Sequence, residues 1–579
     1  MKKLVLLLLV SSAARAQLSP YEQATIEAAV SAAHAVVEPQ PEGKIFEGVI
    51  VATLPVFEER DPLPAFAIPL ANWFHVTTRD GIIEQEVLLS PGEPWQQALI
   101  DQTARNLRAL SQLSVVLLVP VRGSSENAVR LLVITKDVWS LRLNSSWLIA
   151  GGRLQSLLLQ PTEENLLGVH HELLGTFLLD PATITLGLGY RIPRLAGSRV
   201  AASAAVYTIL DRQGGKAEGT QGAIAAGQPL YSTRAEWAWS AGFSWVHDVR
   251  HRFVNGLTSD FNPATGACVA TTGAPGVVPC QYHRTSVSGS AALTRSFGAL
   301  FKEDVTLGFA ASKATFTPFD LGILSAADQS AFLGAVVPVS DTTVGPSLGV
   351  RAYDTRYLDR VDLDTLGLTE NVQRGHDLTF RVSPVLKALG SSRDLVDLLS
   401  AAAYTLPLGD GVVRAAATWD VKLAKDNVPD ASLDASLRAV SPRSFLGRLV
   451  FDAHLLDRYR NFLNLKSLLG GDTRLRGYAA GLFSGANLAV ANLEFRSRPL
   501  EIFAVQLGGV AFADSGDAFD DFARLRLKSS TGVGLRVVFP QLQRYVLRID
   551  LGVPLTRGPW TTAPDVVVTF NQALPNIAN

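Results

Sequence analysis

The sequence predicts a mainly β protein: a transmembrane antiparallel β-barrel of about 16 strands, preceded by one small α+β domain. Charged residues make up only 18% of the chain, below the roughly 25% of a typical soluble domain. The chain opens with a segment typical of an export signal. From about Gly152 to Phe570, short segments of alternating polarity are separated by turns or polar loops, and no long helical pattern interrupts them.

Residues 1–16 predict a secretory signal peptide. Two lysines precede the short apolar run Leu4–Val10, and Ala14-Arg15-Ala16 supplies an A-x-A cleavage site. The apolar run is too short to anchor the chain in a bilayer as a helix. Residues 17–43 are rich in Ala and Glu and then in Pro, which predicts a short helix or a linker.

Residues 44–138 predict a small domain with the element order β-α-α-β-β. The expected elements are a strand at Lys44–Val56, helices at Leu63–His75 and Pro94–Leu113, and strands at Ser114–Val121 and Val129–Lys136. This order resembles a POTRA domain, the periplasmic module that precedes certain outer-membrane barrels. The edge of such a sheet could accept a strand from an unfolded β-rich client. A spacer without a client is the alternative.

Residues 139–579 predict the barrel. In "YVLRIDLGVPL", Leu547, Ile549 and Leu551 fall on one face of a strand, while Arg548 and Asp550 fall on the other. This is the pattern of a barrel with apolar residues outward and polar residues inward. A soluble β-sandwich would alternate too. The number and length of the strands, the small residues on their polar faces and the alternation of long loops with tight turns favour the barrel.

The stretch "GGDTRLRGYAAG" (470–481) divides the predicted strands into eleven to thirteen before it and about five after it. An even total near 16 fits a bacterial barrel. The long loops at Asp248–Arg284, Thr317–Thr342 and Arg356–His376 are expected outside the cell. Cys268 and Cys280 lie close together in a Gly/Pro-rich loop of an exported chain, which predicts a disulfide.

The sequence gives no sign of catalysis. It contains no G-x-S-x-G elbow and no P-loop. The histidines lack the spacing of a metal site, and a net charge of −1 does not suggest a nucleic-acid partner. We therefore expect no enzyme activity, no catalytic residue, no metal and no cofactor.

Three short motifs resemble the BamA/TamA superfamily of outer-membrane assembly factors, which includes two-partner secretion transporters. They are "LRGY" (Leu475–Tyr478), "LEFR" (Leu493–Arg496) and "FADSG" (Phe512–Gly516), followed by "LRIDLGVPL" near the end of the chain. Each motif is common alone, but their order and spacing are specific. Together with the POTRA-like region, the resemblance covers most of the mature chain.

The resemblance implies that the loop carrying Arg476 folds back into the barrel lumen as a plug. There Arg476 would pair with Asp514, with Phe512 stacked beside it. Gly477 would allow a sharp turn and Tyr478 would pack against the wall, while Gly516 completes the F-x-D-x-G strand. Glu494, on a predicted lumen face, is a second candidate acceptor, and arginine suits this place because its planar fork serves two acceptors at once.

The function implied is insertion or translocation of client proteins at the bacterial outer membrane, with the N-terminal domain in the periplasm. The expected partners are outer-membrane lipid and unfolded β-rich clients or a periplasmic protein. A client would engage a weak seam between the first barrel strand, near Gln155–Gln160, and the last, Asp565–Phe570; nine residues follow Phe570. The alternatives are a passive channel or structural barrel with a tethering domain, and a secreted all-β enzyme.

Overall fold

A computed structural model describes most of the chain. The described residues are 20–57, 68–69, 75–150, 152–254, 257–271, 276–471, 474–502, 505–539, 545–558, 564–570, 572 and 574. The predicted signal peptide and most of the predicted helix at Leu63–His75 lie outside them. No helix among the described residues is long and apolar enough to cross a membrane.

The residues before the barrel form a three-stranded sheet with helices, here called the N-terminal unit. The order in the sheet is β1-β3-β2, with β1 parallel to β3 and β2 antiparallel to it. The elements are α1 (Pro20–Ala32), β1 (Ile45–Leu54), α2 (Asp80–Glu84), α3 (Gln97–Arg108), β2 (Leu113–Arg122) and β3 (Ala128–Asp137).

Helix α3 lies within the helix predicted at Pro94–Leu113 and packs on the sheet through one face. Leu99, Thr103 and Leu107 are buried, because positions four apart lie on one side of a helix. Leu99 and Leu107 share a core with Phe46 of β1 and Trp95. The strands of the unit therefore pack against a helix that runs almost as predicted.

The rest of the chain closes into an antiparallel barrel in which the last strand pairs with the first. Segments β26 and β27 both pair with β28, so they occupy one position and the barrel has 20 strands. The segments are β4 (Leu141–Ala150), β5 (Arg153–Leu166), β6 (His171–Leu179), β7 (Thr183–Ile192), β8 (Ala201–Asp211), β9 (Ala217–Gln228), β10 (Trp237–His251), β14 (Gln281–Gly298), β15 (Phe301–Pro318), β16 (Asp341–Asp354), β19 (Gly375–Val385), β20 (Leu395–Leu408), β21 (Gly411–Leu423), β22 (Asp430–Val440), β23 (Gly447–Asn461), β26 (Asn487–Ser497), β27 (Leu500–Ile502), β28 (Val505–Phe519), β29 (Lys528–Val538), β30 (Leu547–Pro554) and β31 (Asp565–Phe570).

Short elements lie in the connections. They are β11 (Phe253–Val254), β12 (Leu257–Asn262) and β13 (Ala267–Ala270), helix α4 (Ala326–Val336), β17 (Tyr357–Val361) and β18 (Thr369–Gln373), and β24 (Ser467–Leu469) and β25 (Phe483–Gly485). Three one-turn 3-10 helices lie at Leu195–Gly197, Lys387–Leu389 and Phe522–Arg524.

The barrel wall has the predicted alternation. In β30, Ile549 and Leu551 are exposed on the outer face, whereas Arg548 and Asp550 are buried on the inner face. Successive side chains of a strand point to opposite faces, so one parity of each strand lines the lumen. The outer face of the barrel is apolar as a lipid-facing wall requires.

The N-terminal unit packs against one end of the barrel, which we call the near end; the other is the far end. Asn165, near the end of β5, donates from Nδ2 to the Val76 carbonyl at 2.8 Å. Gln112 donates to Glu172 at 2.7 Å, and Arg199 donates to Glu86 at 2.8 Å. These contacts join the unit to several near-end turns.

The fold-class prediction was wrong in two respects. The barrel has 20 strands rather than about 16, and the described part of the chain contains no POTRA-like α+β domain preceding it. The N-terminal unit instead packs on the barrel itself, and α2, with five residues, is the only helix longer than two described residues between β1 and α3. Five strand positions follow the 470–481 stretch, as predicted, so the strands missed all precede it.

One long loop is at the opposite end from the one expected. Strand β16 runs from the far end to the near end, so residues 355–374 emerge beside the N-terminal unit. Arg108 of α3 donates to Asn371 of this segment. The loops after β10 and β15 do lie together at the far end. The prediction rested on loop length, whereas the number of preceding strands decides the end at which a loop emerges.

Candidate functional site

The loop at 470–481 lies inside the barrel wall. Leu475 and Tyr478 are buried in one apolar cluster with Leu488 and Val490 of β26, and Ala518 of β28. The loop connects β23 to β26 from the far end, so it has to turn inward to reach these strands. Its described residues therefore pack on the inner face of the wall.

Arg476 is 1% exposed, and its guanidinium contacts three carboxylates. Nε and Nη2 donate to the two oxygens of Asp514, each at 2.8 Å, which is a bidentate pair. Nη1 donates to Glu494 at 2.7 Å and to Asp550 at 3.2 Å. The backbone N–H of Arg476 also donates to Asp514, at 3.2 Å. The structure thus brings together the loop arginine and both candidate acceptors.

The surrounding wall neutralises the extra negative charge. Arg496 donates to Glu494 at 2.9 Å, Arg536 forms an ion pair with Asp550, and Asn492 donates to Asp514 at 2.7 Å. Burial by itself would lower the pKa of Arg476. The hydrogen bonds that Arg476 donates to Asp514 and the charges of the carboxylates overcome this and raise that pKa above its ordinary value. Arg476 therefore stays charged at any physiological pH.

Gly477 adopts a backbone conformation that favours glycine, with φ of +86°. A Cβ at this position would lie 3.0 Å from the Gly552 carbonyl carbon and 3.0 Å from the Val553 nitrogen of β30. The loop backbone thus lies directly against the wall. Tyr478 extends this contact, because its hydroxyl donates to the Ser529 carbonyl of β29 at 2.7 Å.

The F-x-D-x-G strand presents Phe512 and Asp514 on the same inner face of β28. The Arg476 guanidinium lies 3.6 Å from the centre of the Phe512 ring, which is cation–π geometry. Gly516 lies on this face too, and a Cβ there would be 2.9 Å from the Ala489 carbonyl oxygen of β26. Phe512 and Asp514 thus hold the loop against β28, while Gly516 lets β26 and β28 approach each other closely.

The sequence reasoning missed Asp550, Asn492 and Arg536 as members of this cluster. All three are buried on the inner face of the wall. The signal for Asp550 was present, because it shares a predicted lumen face with Arg548. Its partner could not be identified, since β30 comes beside the loop only when the barrel closes.

Cys268 and Cys280 form a disulfide in the far-end loop after β10. Cys280 packs in one apolar cluster with Phe261 and with Phe332 of α4. Arg252 donates to the Ala335 carbonyl at 2.9 Å and also to Ser484, so this loop joins α4 and the segment after the 470–481 loop. No group of His, Cys, Asp or Glu within the described ranges is arranged to hold a metal ion.

The two ends of the barrel sheet meet at a short seam. The described residues of β31 and β4 pair at three positions: Val566 with Ile149, Val567 with Leu148 and Val568 with Trp147. Other wall strands pair over longer spans, from six positions between β30 and β31 to seventeen between β14 and β15. The first barrel strand is β4, so the predicted position near Gln155–Gln160 was wrong and belongs to the second strand.

No protein-family model matches the chain, and no curated protein matches it. Solved structures with a similar fold include CdiB from Escherichia coli, with 12% identity, 93% of this chain and 80% of that chain covered, and a TM-score of 0.42. BamA from Haemophilus ducreyi lacking POTRA domains 1–3 is 11% identical, with 91% of this chain and 84% of that chain covered and a TM-score of 0.35. The FrpB iron transporter from Neisseria meningitidis (F3-3 variant) is 8% identical, with 79% of this chain and 87% of that chain covered and a TM-score of 0.36. At such scores the likeness establishes neither a family nor a function.

Proposed function

We propose that this chain is an outer-membrane barrel that assists the insertion or translocation of client proteins. The observation that carries the proposal is the three-residue seam between β31 and β4 in a wall that is otherwise paired over long spans. A net hydrogen bond contributes roughly 0.5–1.5 kcal/mol, so opening this seam costs on the order of 2–4 kcal/mol. The described pairing at the other joints of the wall spans six positions or more, so opening any of them would cost at least about twice as much.

A barrel that opened at its seam would otherwise leak through its lumen. In our proposal the 470–481 loop is a plug, and Arg476 is its anchor to the wall. Its buried pairing with Asp514, Glu494 and Asp550 supports this role. Removing one partner of a buried ion pair costs about 3–5 kcal/mol, which is enough to hold a loop in one place.

The clients are unfolded β-rich chains that add a strand at an exposed edge. The seam offers the edge of β4 within the barrel. The sheet of the N-terminal unit offers a second edge at β1, which pairs on one side with β3. A client or a periplasmic partner would meet the N-terminal unit first, and outer-membrane lipid surrounds the apolar outer wall.

The test is a disulfide lock across the seam. Val568 and Trp147 are paired, so the double variant Val568→Cys/Trp147→Cys places two thiols across the joint. Proteoliposomes of the full chain are offered an unfolded eight-stranded outer-membrane barrel, and its folding is followed by heat-modifiable gel mobility. We expect the oxidised variant to lose most of the acceleration of folding, and reduction to restore it.

The matched control is Leu293→Cys/Leu307→Cys, a paired and outward-facing position in the middle of the wall. Oxidation there should leave client folding unchanged. Equal folding with the seam locked and open would overturn the proposal. So would folding no faster than in protein-free liposomes for every variant. A passive channel, the alternative function, predicts this last outcome together with a large steady conductance.

A further inference from the structure

A cavity of about 480 Å³ lies where the N-terminal unit, the barrel wall and the segment 355–374 meet. Strands β17 and β18 of this segment pair as a hairpin, here called the near-end hairpin. The hairpin folds into the lumen, where Leu363 and Leu574 share an apolar cluster and Gln572 donates to the Asp364 carbonyl at 3.0 Å. Helix α3 lines the cavity on one side, and β15 and β16 line it on another. Its volume falls within the roughly 300–1,000 Å³ that small-molecule sites occupy.

The basic side chains that line this cavity outnumber the acidic ones. They are Arg105, Arg108, Arg142 and Lys302, against Asp364 and Glu370. Both acids have other partners: Glu370 accepts from the backbone N–H groups of residues 363–365, and Asp364 lies 3.7 Å from Arg496. The two acids therefore do not neutralise the cations of the cavity.

Lys302, on the inner face of β15, is a buried cation. Its side chain belongs to a residue that is 2% exposed, and Nζ donates to the Thr233 carbonyl at 2.8 Å and to the Ala235 carbonyl at 3.3 Å. In the described part of the chain no carboxylate forms an ion pair with Nζ, and the neighbouring Asp304 accepts from Ser296 instead. An ammonium group has three donors, so one donor and the whole charge remain for a ligand.

Arg105, on α3, is the second cation. Its guanidinium lies 4.5 Å from the centre of the Tyr357 ring in the near-end hairpin, and it makes no hydrogen bond to any other described residue. The closest acids are occupied, because Asp101 accepts from Gln97 at 2.8 Å and Asp359 accepts from Asn371. Burial lowers the pKa of Arg105. A bound anion would stabilise this charge.

We propose that this cavity binds the phosphate group of a small organic molecule, with Arg105 and Lys302 as its ligands. A phosphate ester carries about −1.5 to −2 charges at pH 7, which matches two cations better than a single carboxylate does. The planar fork of arginine can contact two phosphate oxygens while the lysine ammonium contacts another. The rings of Tyr353 and Tyr357 line the same cavity and can pack on the organic part.

Such a ligand would join the N-terminal unit to the barrel, because Arg105 belongs to α3 and Lys302 to β15. A free phosphate ester and a phospholipid headgroup both carry the group that would be recognised. The inference goes beyond the proposed function, since it involves neither the seam nor a client.

The first experiment is calorimetric titration of the full chain, in neutral detergent micelles, with glycerol 3-phosphate. We expect saturable binding that is at least about ten-fold weaker in Arg105→Met and in Lys302→Met, since each loses a hydrogen bond to a charged group. The matched controls are Arg130→Met, at an exposed position of the N-terminal unit, and Lys313→Met, at an exposed position of β15. Both should bind like the wild type, and glycerol should not bind. Heat-modifiable mobility checks that each barrel has folded.

The second experiment locates the ligand by amide hydrogen exchange. Glycerol 3-phosphate should slow exchange several-fold in α3 and in β17, and it should not do so in Arg105→Met. Dihexanoyl phosphatidylglycerol, a water-soluble phospholipid, distinguishes the two sources of phosphate. If it displaces glycerol 3-phosphate at concentrations below those of the ester itself, the site takes a lipid headgroup. If it does not, the site takes a free ester; either result supports a phosphate site.

The absence of binding to the wild type would overturn the proposal. So would equal affinity in the wild type, Arg105→Met and Lys302→Met, because the phosphate would then bind elsewhere. Loss of binding in Lys302→Met alone would overturn it too. That result would mean that Lys302 acts only by holding the carbonyls of Thr233 and Ala235. Neither experiment involves a client, so this site can fail while the seam-locking test succeeds, and the reverse.

Discussion

The two halves of the barrel wall differ in what they present to the lumen. From β22 to β31 the inner face carries large buried charges: Arg438, Asp452, Glu494, Arg496, Asp514, Arg536, Arg548 and Asp550. From β7 to β16 the inner positions in the middle of the strands are small: Gly189, Ala205, Ala223, Ser240, Gly242, Ser290, Ala292, Gly308, Ala310, Ser347 and Gly349. Charged inner residues such as Asp248, Lys302 and Asp304 lie near the strand ends. We call these the charged half and the small-residue half.

The difference follows from what each half has to hold. Both the 470–481 loop and the near-end hairpin formed by β17 and β18 pack on the charged half, through Asp514 and Arg496 respectively. A buried charge needs fixed partners, so segments anchored by ion pairs require such a wall. In the small-residue half, Ala310 and Ser347 line a cavity of about 380 Å³. The lumen is therefore packed on one side and open on the other.

The largest expected effect is that of Arg476→Ala. It leaves Asp514, Glu494 and Asp550 buried beside one another without their shared cation. The free energy of unfolding should fall by about 3–5 kcal/mol, measured by urea titration in detergent micelles, and bilayer conductance should rise. Arg476→Lys keeps the charge but not the fork, so an intermediate loss is expected. Wild-type stability and conductance in Arg476→Ala would contradict the anchoring role.

A second prediction concerns backbone contact with the charged half. Both Gly477→Ala and Gly215→Ala introduce a side chain at positive φ, which costs roughly 1–2 kcal/mol. At Gly215, φ is +65° and no heavy atom lies within 4 Å of the added Cβ, whereas at Gly477 the Cβ meets the β30 backbone. In the same titration, Gly477→Ala should therefore lower the free energy of unfolding by at least about 1 kcal/mol more than Gly215→Ala does. Equal losses would mean that the loop does not pack closely on β30.

A smaller effect is expected for Tyr478→Phe. The ring remains in place, but its hydrogen bond to the Ser529 carbonyl is lost. A loss of about 0.5–1.5 kcal/mol is expected, again in the free energy of unfolding. Tyr459→Phe, at an exposed tyrosine, should not change it. A loss in the control as large as in Tyr478→Phe would remove the argument for this contact.

The smallest effect is expected for Arg351→Ala, an ion-pair deletion outside the charged half. Arg351 makes a bidentate pair with Asp377 at 2.9 and 2.8 Å, but its side chain is 43% exposed. Water screens such a pair, so the loss should stay below about 1 kcal/mol. A loss as large as that of Arg476→Ala would mean that the two halves do not differ in the way described.

The same difference explains where the sequence reasoning succeeded. In β26 and β30, charged residues alternate with Leu, Ile and Phe, and the strands after the 470–481 stretch were counted correctly. In β9, with the sequence "AEGTQGAIAAGQ", small residues occupy both faces, so the alternation is weak and the strand boundaries are lost. The strands missed lie in the part of the chain that contains the small-residue half.

By itself the sequence determined which residues face each side of most strands, because polar and apolar residues alternate along them with a period of two. It also pointed to Arg476, Asp514 and Glu494 as partners, through a resemblance and through parity. Only the tertiary structure decided the 20 strands, the position of the N-terminal unit, the end at which residues 355–374 emerge, and the inward course of Gln572 and Leu574. These depend on barrel closure and on contacts between residues far apart in sequence, which no local pattern encodes.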